Sequence, residues 1–300
     1  MKVLNYINNL FWLGVPDILK GLALSLLFIY IFKNAIKKHS TIFYIYPGLM
    51  FFWYCTYGIL NLMNVNLYDQ FGETIWWELL WLPHSLALDT VIGLAFIMIV
   101  MFIGVLPKWK FVRQLFIIRK EMSIIGGLLL IGHGVMRLPT MKWAWENLTD
   151  MNVFLFFSYA ILGVILLVLI FIPWITSFHF ARKRFSARNW KKLQTYTSVP
   201  LMVLICVFGI AINLGWGFSN FSGFGTDLWE ATTIPDGSAV SNLAQGYGVA
   251  TAFLSAKIYL VLLVSYVWLR ILKTKKQSFP IQKSYVQTQE SNNEGVMSVK

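Results

Sequence analysis

The chain has 300 residues, of which 57% are hydrophobic and 13% are charged, and its mean hydropathy is +0.63. A soluble domain carries roughly 25% charged residues, so this composition excludes an ordinary soluble fold and favours several helices in a lipid bilayer. The net charge of +12 does not indicate a nucleic-acid partner, because the basic residues fall in short connections between apolar runs.

Apolar runs long enough to cross a bilayer, about 20 residues each, occur seven times. They cover about residues 18–36, 41–61, 88–106, 122–140, 152–175, 197–214 and 249–271. Ahead of them, residues 3–16 have the pattern of a helix lying in the membrane interface, which Pro16 would end. The sequence therefore predicts an all-α integral membrane protein, a bundle of seven transmembrane helices in the cell (plasma) membrane.

The basic residues collect in alternate connections, which predicts the orientation of the chain. Segments 33–39, 107–121, 179–192 and 270–300 hold 20 of the 25 Lys and Arg residues but only three acidic residues. Cytoplasmic loops carry such an excess of Lys and Arg. The N-terminus is therefore predicted to lie outside and the C-terminus inside, which agrees with an odd number of helices.

Three regions follow from the spacing of these runs. Residues 1–86 hold two N-terminal helices and a tryptophan-rich outer loop, and residues 87–276 form the core of the bundle. Within the core, residues 215–248 are rich in Gly, Ser, Asn and Asp, which predicts a long irregular outer loop. Residues 277–300 are polar and predict a disordered cytoplasmic tail.

Labelling with a membrane-impermeant thiol reagent tests this orientation. We expect the reagent, added from outside, to modify a cysteine introduced at Gly225 and to leave one at Ser186 unmodified. The reason is that segment 179–192 holds six basic residues and segment 215–248 holds none. The reverse labelling pattern would overturn the orientation.

A histidine inside the fourth predicted helix requires a chemical explanation. His133 lies about 12 residues, or roughly 18 Å, into that span, and ionisable groups at such depth are costly and often functional. Arg137 follows it on the same helical face. Small residues accompany the pair at Gly127, Gly132 and Gly134.

This arrangement suits haem. The imidazole would ligate the iron, the glycines would make room for the macrocycle, and the guanidinium of Arg137 would hold a propionate. The alternative is a buried histidine bonded to a neighbouring helix, with Arg137 extending outward to the interface. Lys257, in the outer third of the last span, could likewise snorkel, pair with a carboxylate such as Asp89, or bind an anionic ligand.

Two stretches of the chain carry a recognisable order of residues. They are Arg119 and Lys120 at the start of a span, His133 about one membrane depth later, Thr176 and Ser177 at the end of the next span, and Trp190 and Leu193 after a basic loop. Over roughly residues 87–214, this order resembles the ferric reductase-like transmembrane domain family, and most closely the haem-binding membrane subunits of bacterial periplasmic methionine sulfoxide reductase systems.

The resemblance implies a transmembrane electron-transfer component that passes electrons from an inner quinol or flavoprotein to an outer acceptor. It also implies one b-type haem with His133 as an axial ligand, while a flavin or quinone would come from a partner. Gln194 and Val207 stand where the family has further histidines.

The missing histidines leave the second iron ligand open. Candidates are Cys206, Met202 and His84, or no second ligand at all. The alternative function is a haem-free descendant of the fold that acts as a transporter subunit or as a membrane scaffold.

Overall fold

The computed structural model describes residues 15–65, 91–147, 152–231 and 250–275, and all regular structure in these ranges is helical. In chain order the helices are α1 (Asp17–Lys38), α2 (Ser40–Leu62), α3 (Val91–Ile103), α4 (Lys110–Ile117), α5 (Arg119–Met136), α6 (Leu138–Glu146), α7 (Val153–Phe156), α8 (Gly163–Ile175), α9 (His179–Arg182), α10 (Ala187–Ala231) and α11 (Ala250–Lys275). A π-helical turn, Phe157–Leu162, joins α7 to α8.

Five stretches of helix in the described residues are long and apolar enough to cross a membrane. They are Asp17–Lys38, Arg119–Glu146, Val153–Ile175, Arg188–Phe218 and Ala250–Lys275. The prediction of an all-helical, multi-pass membrane protein is confirmed, but the predicted number of seven spans is wrong.

The two remaining predicted spans differ from the other five for separate reasons. Run 41–61 does form α2, which has 23 residues and no charged side chain, but its four tyrosines and Pro47 lower its hydropathy. Run 88–106 forms α3, whose described helix is only 13 residues long. A helix can cross the membrane only if it is both long enough and apolar enough.

The predicted irregular loop 215–248 begins later in the structure than in the sequence analysis. Helix α10 continues through Ala231, although this part of the chain is rich in glycine. Residues 232–249 lie outside the described part of the chain, as do the predicted interfacial helix up to residue 14, most of the outer loop before α3, and the tail after residue 275.

Helix α5 packs against α2, α3 and α8, and glycines allow two of these neighbours to approach closely. A Cβ atom added at Gly58 of α2 would lie 2.3 Å from the carbonyl oxygen of Val135 on α5. A Cβ atom at Gly93 of α3 would lie 2.7 Å from the Cβ of Leu129. The backbones of α2 and α3 therefore run nearly in contact with α5, which fixes the position of His133.

Two clusters of buried apolar side chains form the core. The first joins α1 and α2 to α3, α4 and α5 through residues such as Ile29, Tyr54 and Met122. The second joins α3, α5 and α8 to α10 and α11 and includes Met202 and Cys206. Many large apolar side chains remain on the outward faces of these helices, as expected of surfaces that contact lipid rather than water.

Candidate functional site

The structure has a cavity of about 420 Å³ between α3, α5, α8 and α10, closed on one side by α6 and the π-helical turn. His133, Arg137 and Tyr159 supply polar groups to its wall, and the other lining residues are mainly aliphatic or aromatic. His133 lies 14 residues after the start of α5, which is about 21 Å at 1.5 Å per residue. In the predicted orientation the cavity therefore lies in the outer half of a hydrocarbon core about 30 Å thick.

His133 and Arg137 bond to each other. The Nε of Arg137 donates to the Nε2 of His133 across 3.4 Å, because residues four apart lie on one face of a helix. The prediction that the two residues share a face is confirmed. In this bond the Nε2 atom of His133 is the acceptor.

The imidazole is also positioned by α2. The ring of Tyr54, which is fully buried, meets it edge to face with 6.2 Å between the ring centroids. Histidine and arginine thus form a polar group at the cavity wall, with an aromatic ring from a second helix behind the histidine. This contact with α2 is ring packing, and the alternative of a buried histidine bonded to a neighbouring helix stays a prediction.

Tyr159 was not anticipated from the sequence, and its place depends on the π-helical turn. Such turns insert an extra residue into a helix and are frequent at functional sites. Here Ser158 Oγ donates to the carbonyl of Phe154 (2.7 Å), and Trp145 Nε1 of α6 donates to the carbonyl of Ala160 (3.2 Å). These two bonds give hydrogen-bond partners to backbone carbonyls in and beside the irregular turn. Tyr159, which belongs to this turn, lies on the cavity wall.

The three glycines of the predicted haem site are packed against other parts of the chain. A Cβ atom at Gly127 would lie 2.0 Å from Cδ1 of Trp174, and one at Gly134 would lie 2.6 Å from Cδ1 of Leu167. At Gly132 the nearest atom is the Cα of Phe51, at 3.0 Å. The glycines therefore admit neighbouring helices and side chains, and Gly134 alone of the three lines the cavity.

Two of the proposed second iron ligands, Met202 and Cys206, do not lie on the cavity wall. Met202 and Cys206 are fully buried in the second core cluster, and His84 lies outside the described residues. Within the described residues, no three His, Cys, Asp or Glu side chains are grouped so that they could hold a metal ion. Of the haem ligands named from the sequence, only His133 lines the cavity.

The Thr–Ser pair and Trp190 have structural roles at the end of α8. Thr176 Oγ1 donates to the carbonyl of Ile172 (2.9 Å), and Ser177 Oγ donates to the carbonyl of Pro173 (2.7 Å) and contacts Ser123 Oγ on α5 (3.0 Å). Trp190 Nε1 donates to the carbonyl of Thr176 at 3.4 Å. The bonds to Pro173 and Thr176 satisfy carbonyls at the helix end, whereas the Ile172 carbonyl also accepts from the backbone N–H of Thr176 at 3.1 Å.

Lys257 lies on the exposed surface of α11, away from the cavity. A lysine on such a surface extends its charged end toward the interface while its stem covers apolar neighbours. We expect Lys257→Ala to leave expression and thermal stability nearly unchanged and Lys257→Glu to lower both, because a glutamate is too short to reach the interface. Loss of function in a normally folded Lys257→Ala protein would instead indicate a direct role for the charge.

In comparisons with known proteins the chain matches no family model, no curated protein and no solved structure. The ferric reductase-like resemblance and the haem that it implies stay predictions.

Proposed function

We propose that the protein binds, inside the membrane, a largely apolar molecule that carries one oxygen-bearing head group. The observation that carries this proposal is the bonded pair of His133 and Arg137 on the wall of a largely apolar cavity. Charged side chains at membrane depth are costly and mark substrate or ion pathways. A ligand with a carboxylate or carbonyl oxygen would compensate that cost.

The chemistry of the pair defines the head group. A guanidinium has five N–H donors and no acceptor, so its ligand has to supply acceptor oxygens. A carboxylate matches its planar geometry with two parallel hydrogen bonds, and a quinone carbonyl would accept one. Tyr159 also lines this cavity. A carboxylate and a quinone carbonyl both accept hydrogen bonds, and the experiment below distinguishes between them.

The shape and lining of the cavity define the rest of the ligand. Small-molecule sites generally measure about 300–1,000 Å³ and are lined mainly by apolar side chains with few polar groups. A cavity of about 420 Å³ lies in the lower part of this range. Leu130, Leu166 and Phe208 supply an apolar wall suited to an acyl or isoprenoid chain. The function would then be that of a transporter subunit, or of a protein that holds a membrane-soluble molecule for a partner.

The second candidate is the electron-transfer component. One observation favours it: His133 and Arg137 lie on the same cavity wall, as would one axial ligand and one propionate partner, or the two groups that hold a quinone head. If a quinone or a haem is bound there, it would supply the redox chemistry. The chain's own residues would bind it, orient its head group and exclude water.

Analysis of the co-purified molecule tests both candidates. The full chain would be extracted with its surrounding lipid into polymer nanodiscs, its absorbance recorded before and after dithionite, and its bound molecules identified by solvent extraction and mass spectrometry. A fatty acid-like carboxylate supports the binding protein, whereas a quinone supports both the binding protein and electron transfer. A Soret band that shifts on reduction supports the haem.

Leu130→Trp tests whether the cavity is the binding site, because the larger side chain would enter the cavity one turn before His133. We expect the variant to lose the co-purified molecule while it keeps the elution profile and helical content of the wild type. If wild type and variant retain the same molecules in the same amounts, the cavity is not the binding site and the proposal fails.

A further inference from the structure

Helix α4 has two faces of different chemistry. Its buried face, Val112 and Leu115, packs into the first core cluster. Its other face is exposed and mixes two kinds of side chain that rarely occur together on a water-facing helix. Trp109 and Ile117 are 65% and 57% exposed, and Lys110 and Arg113 are exposed beside them.

The rest of the structure holds this face at the edge of the helix bundle. Only Ile118 separates α4 from the membrane-spanning stretch that begins at Arg119. The Nζ of Lys33, near the end of α1, donates to Oε1 of Gln114 at 2.7 Å. The Nζ of Lys273, near the end of α11, donates to the carbonyl of Gly104, which directly follows α3. Helix α4 therefore lies beside the end of α1 and the beginning of α5, and the connection that leads to α4 is bonded to the end of α11.

The mixture of apolar and cationic side chains on this exposed face suits the level of the lipid head groups. In water the exposed indole, phenyl and aliphatic groups of Trp109, Phe116 and Ile117 would remain unburied. In hydrocarbon the charges of Lys108, Lys110 and Arg113 would lack a counter-charge. At the level of the lipid head groups the aromatic and apolar groups enter the acyl boundary and the cations stay hydrated.

The charge of the surface selects the lipid. Residues 104–120 contain five Lys and Arg residues and no acidic residue, and Glu121 is the first acidic residue that follows. Clusters of Lys and Arg immediately beside a transmembrane helix attract anionic lipids. An acidic protein surface would also attract these cations, as an anionic lipid does. It would not, however, provide an apolar environment for the aromatic side chains between them.

We propose that the exposed surface formed by Lys108 and Trp109, which directly precede α4, and by Lys110, Arg113, Phe116 and Ile117 of α4 binds the phosphate head groups of anionic phospholipids in the adjoining leaflet. The cations recognise the negative head groups, and Trp109 and Phe116 anchor the helix among the upper acyl carbons. The site is separate from the cavity between α5 and α8, and it selects lipid rather than a soluble anion because the membrane-spanning helices present it to the bilayer.

Quenching of Trp109 fluorescence by brominated lipids tests this proposal. The full chain is reconstituted into phosphatidylcholine vesicles that contain an equal fraction of either brominated phosphatidylglycerol or brominated phosphatidylcholine. The difference between wild type and Trp109→Phe gives the contribution of Trp109. We expect brominated phosphatidylglycerol to quench this contribution at least about twofold more strongly than brominated phosphatidylcholine, and the preference to fall as salt is raised.

Two double variants separate this surface from general charge attraction. Lys108→Gln with Lys110→Gln should abolish the preference. Lys37→Gln with Lys38→Gln, which removes the same charge from the end of α1, should preserve it. Equal quenching by the two lipids in the wild type would overturn the proposal without any variant, and so would equal loss in both double variants.

Discussion

Gly58→Ala is expected to lower the free energy of unfolding by about 1–3 kcal/mol, the usual cost of overpacking a well-packed interior. The added Cβ would lie 2.3 Å from the carbonyl oxygen of Val135 and 2.8 Å from the Cα of Met136. Both atoms belong to the backbone of α5, so no side-chain rotation can relieve the overlap. Helices α2 and α5 would have to separate. Thermal unfolding of the full chain in one detergent, followed by circular dichroism, measures the change.

Gly48→Ala is the matched control because it adds the same methyl group to the same helix. No heavy atom lies within 4 Å of a Cβ built at Gly48, and alanine favours a helix over glycine by roughly 0.5–1 kcal/mol. The control should therefore be as stable as the wild type or slightly more stable. If both variants unfold at the same temperature, the close approach of α2 to α5 is not the source of the cost.

Arg137→Ala is expected to weaken binding of the co-purified molecule by roughly 10- to 100-fold. A hydrogen bond to a charged group contributes about 1.5–3 kcal/mol, and each 1.4 kcal/mol changes affinity about tenfold. Because the cavity wall around Arg137 is largely apolar, no water would replace the lost donor efficiently. Equilibrium dialysis of the identified molecule against delipidated protein measures the affinity.

Lys142→Ala is the control for this second prediction. Lys142 is also a cation of the α5–α6 stretch, but its Nζ lies 3.8 Å from Oε1 of Glu146 and both side chains are more than half exposed. Exposed ion pairs of this kind contribute little, so binding should be unchanged. A similar loss in both variants would indicate a general effect of charge, and unchanged binding in Arg137→Ala would remove the guanidinium from the site.

The glycines around His133 show what the sequence pattern predicts about helix packing and what it leaves open. Their positions in an apolar helix predict close approach, and the structure confirms close approach at Gly127, Gly132 and Gly134. The sequence could not show which group approaches, because that depends on which helices are neighbours. The occupants are Trp174, Phe51 and Leu167 rather than open space, so small residues alone are weak evidence for a cofactor.

The sequence by itself determined the helical, membrane-embedded class, the limits of most apolar helices, and the shared face of His133 and Arg137. Each of these depends on hydropathy or on the period of a single helix, which are local properties. The structure decided the length of each helix, since run 88–106 forms a described helix of only 13 residues. It also decided that Met202 and Cys206 pack in the core while Tyr159 reaches the cavity, because those outcomes depend on contacts between distant helices and on a π-helical turn without a local sequence signal.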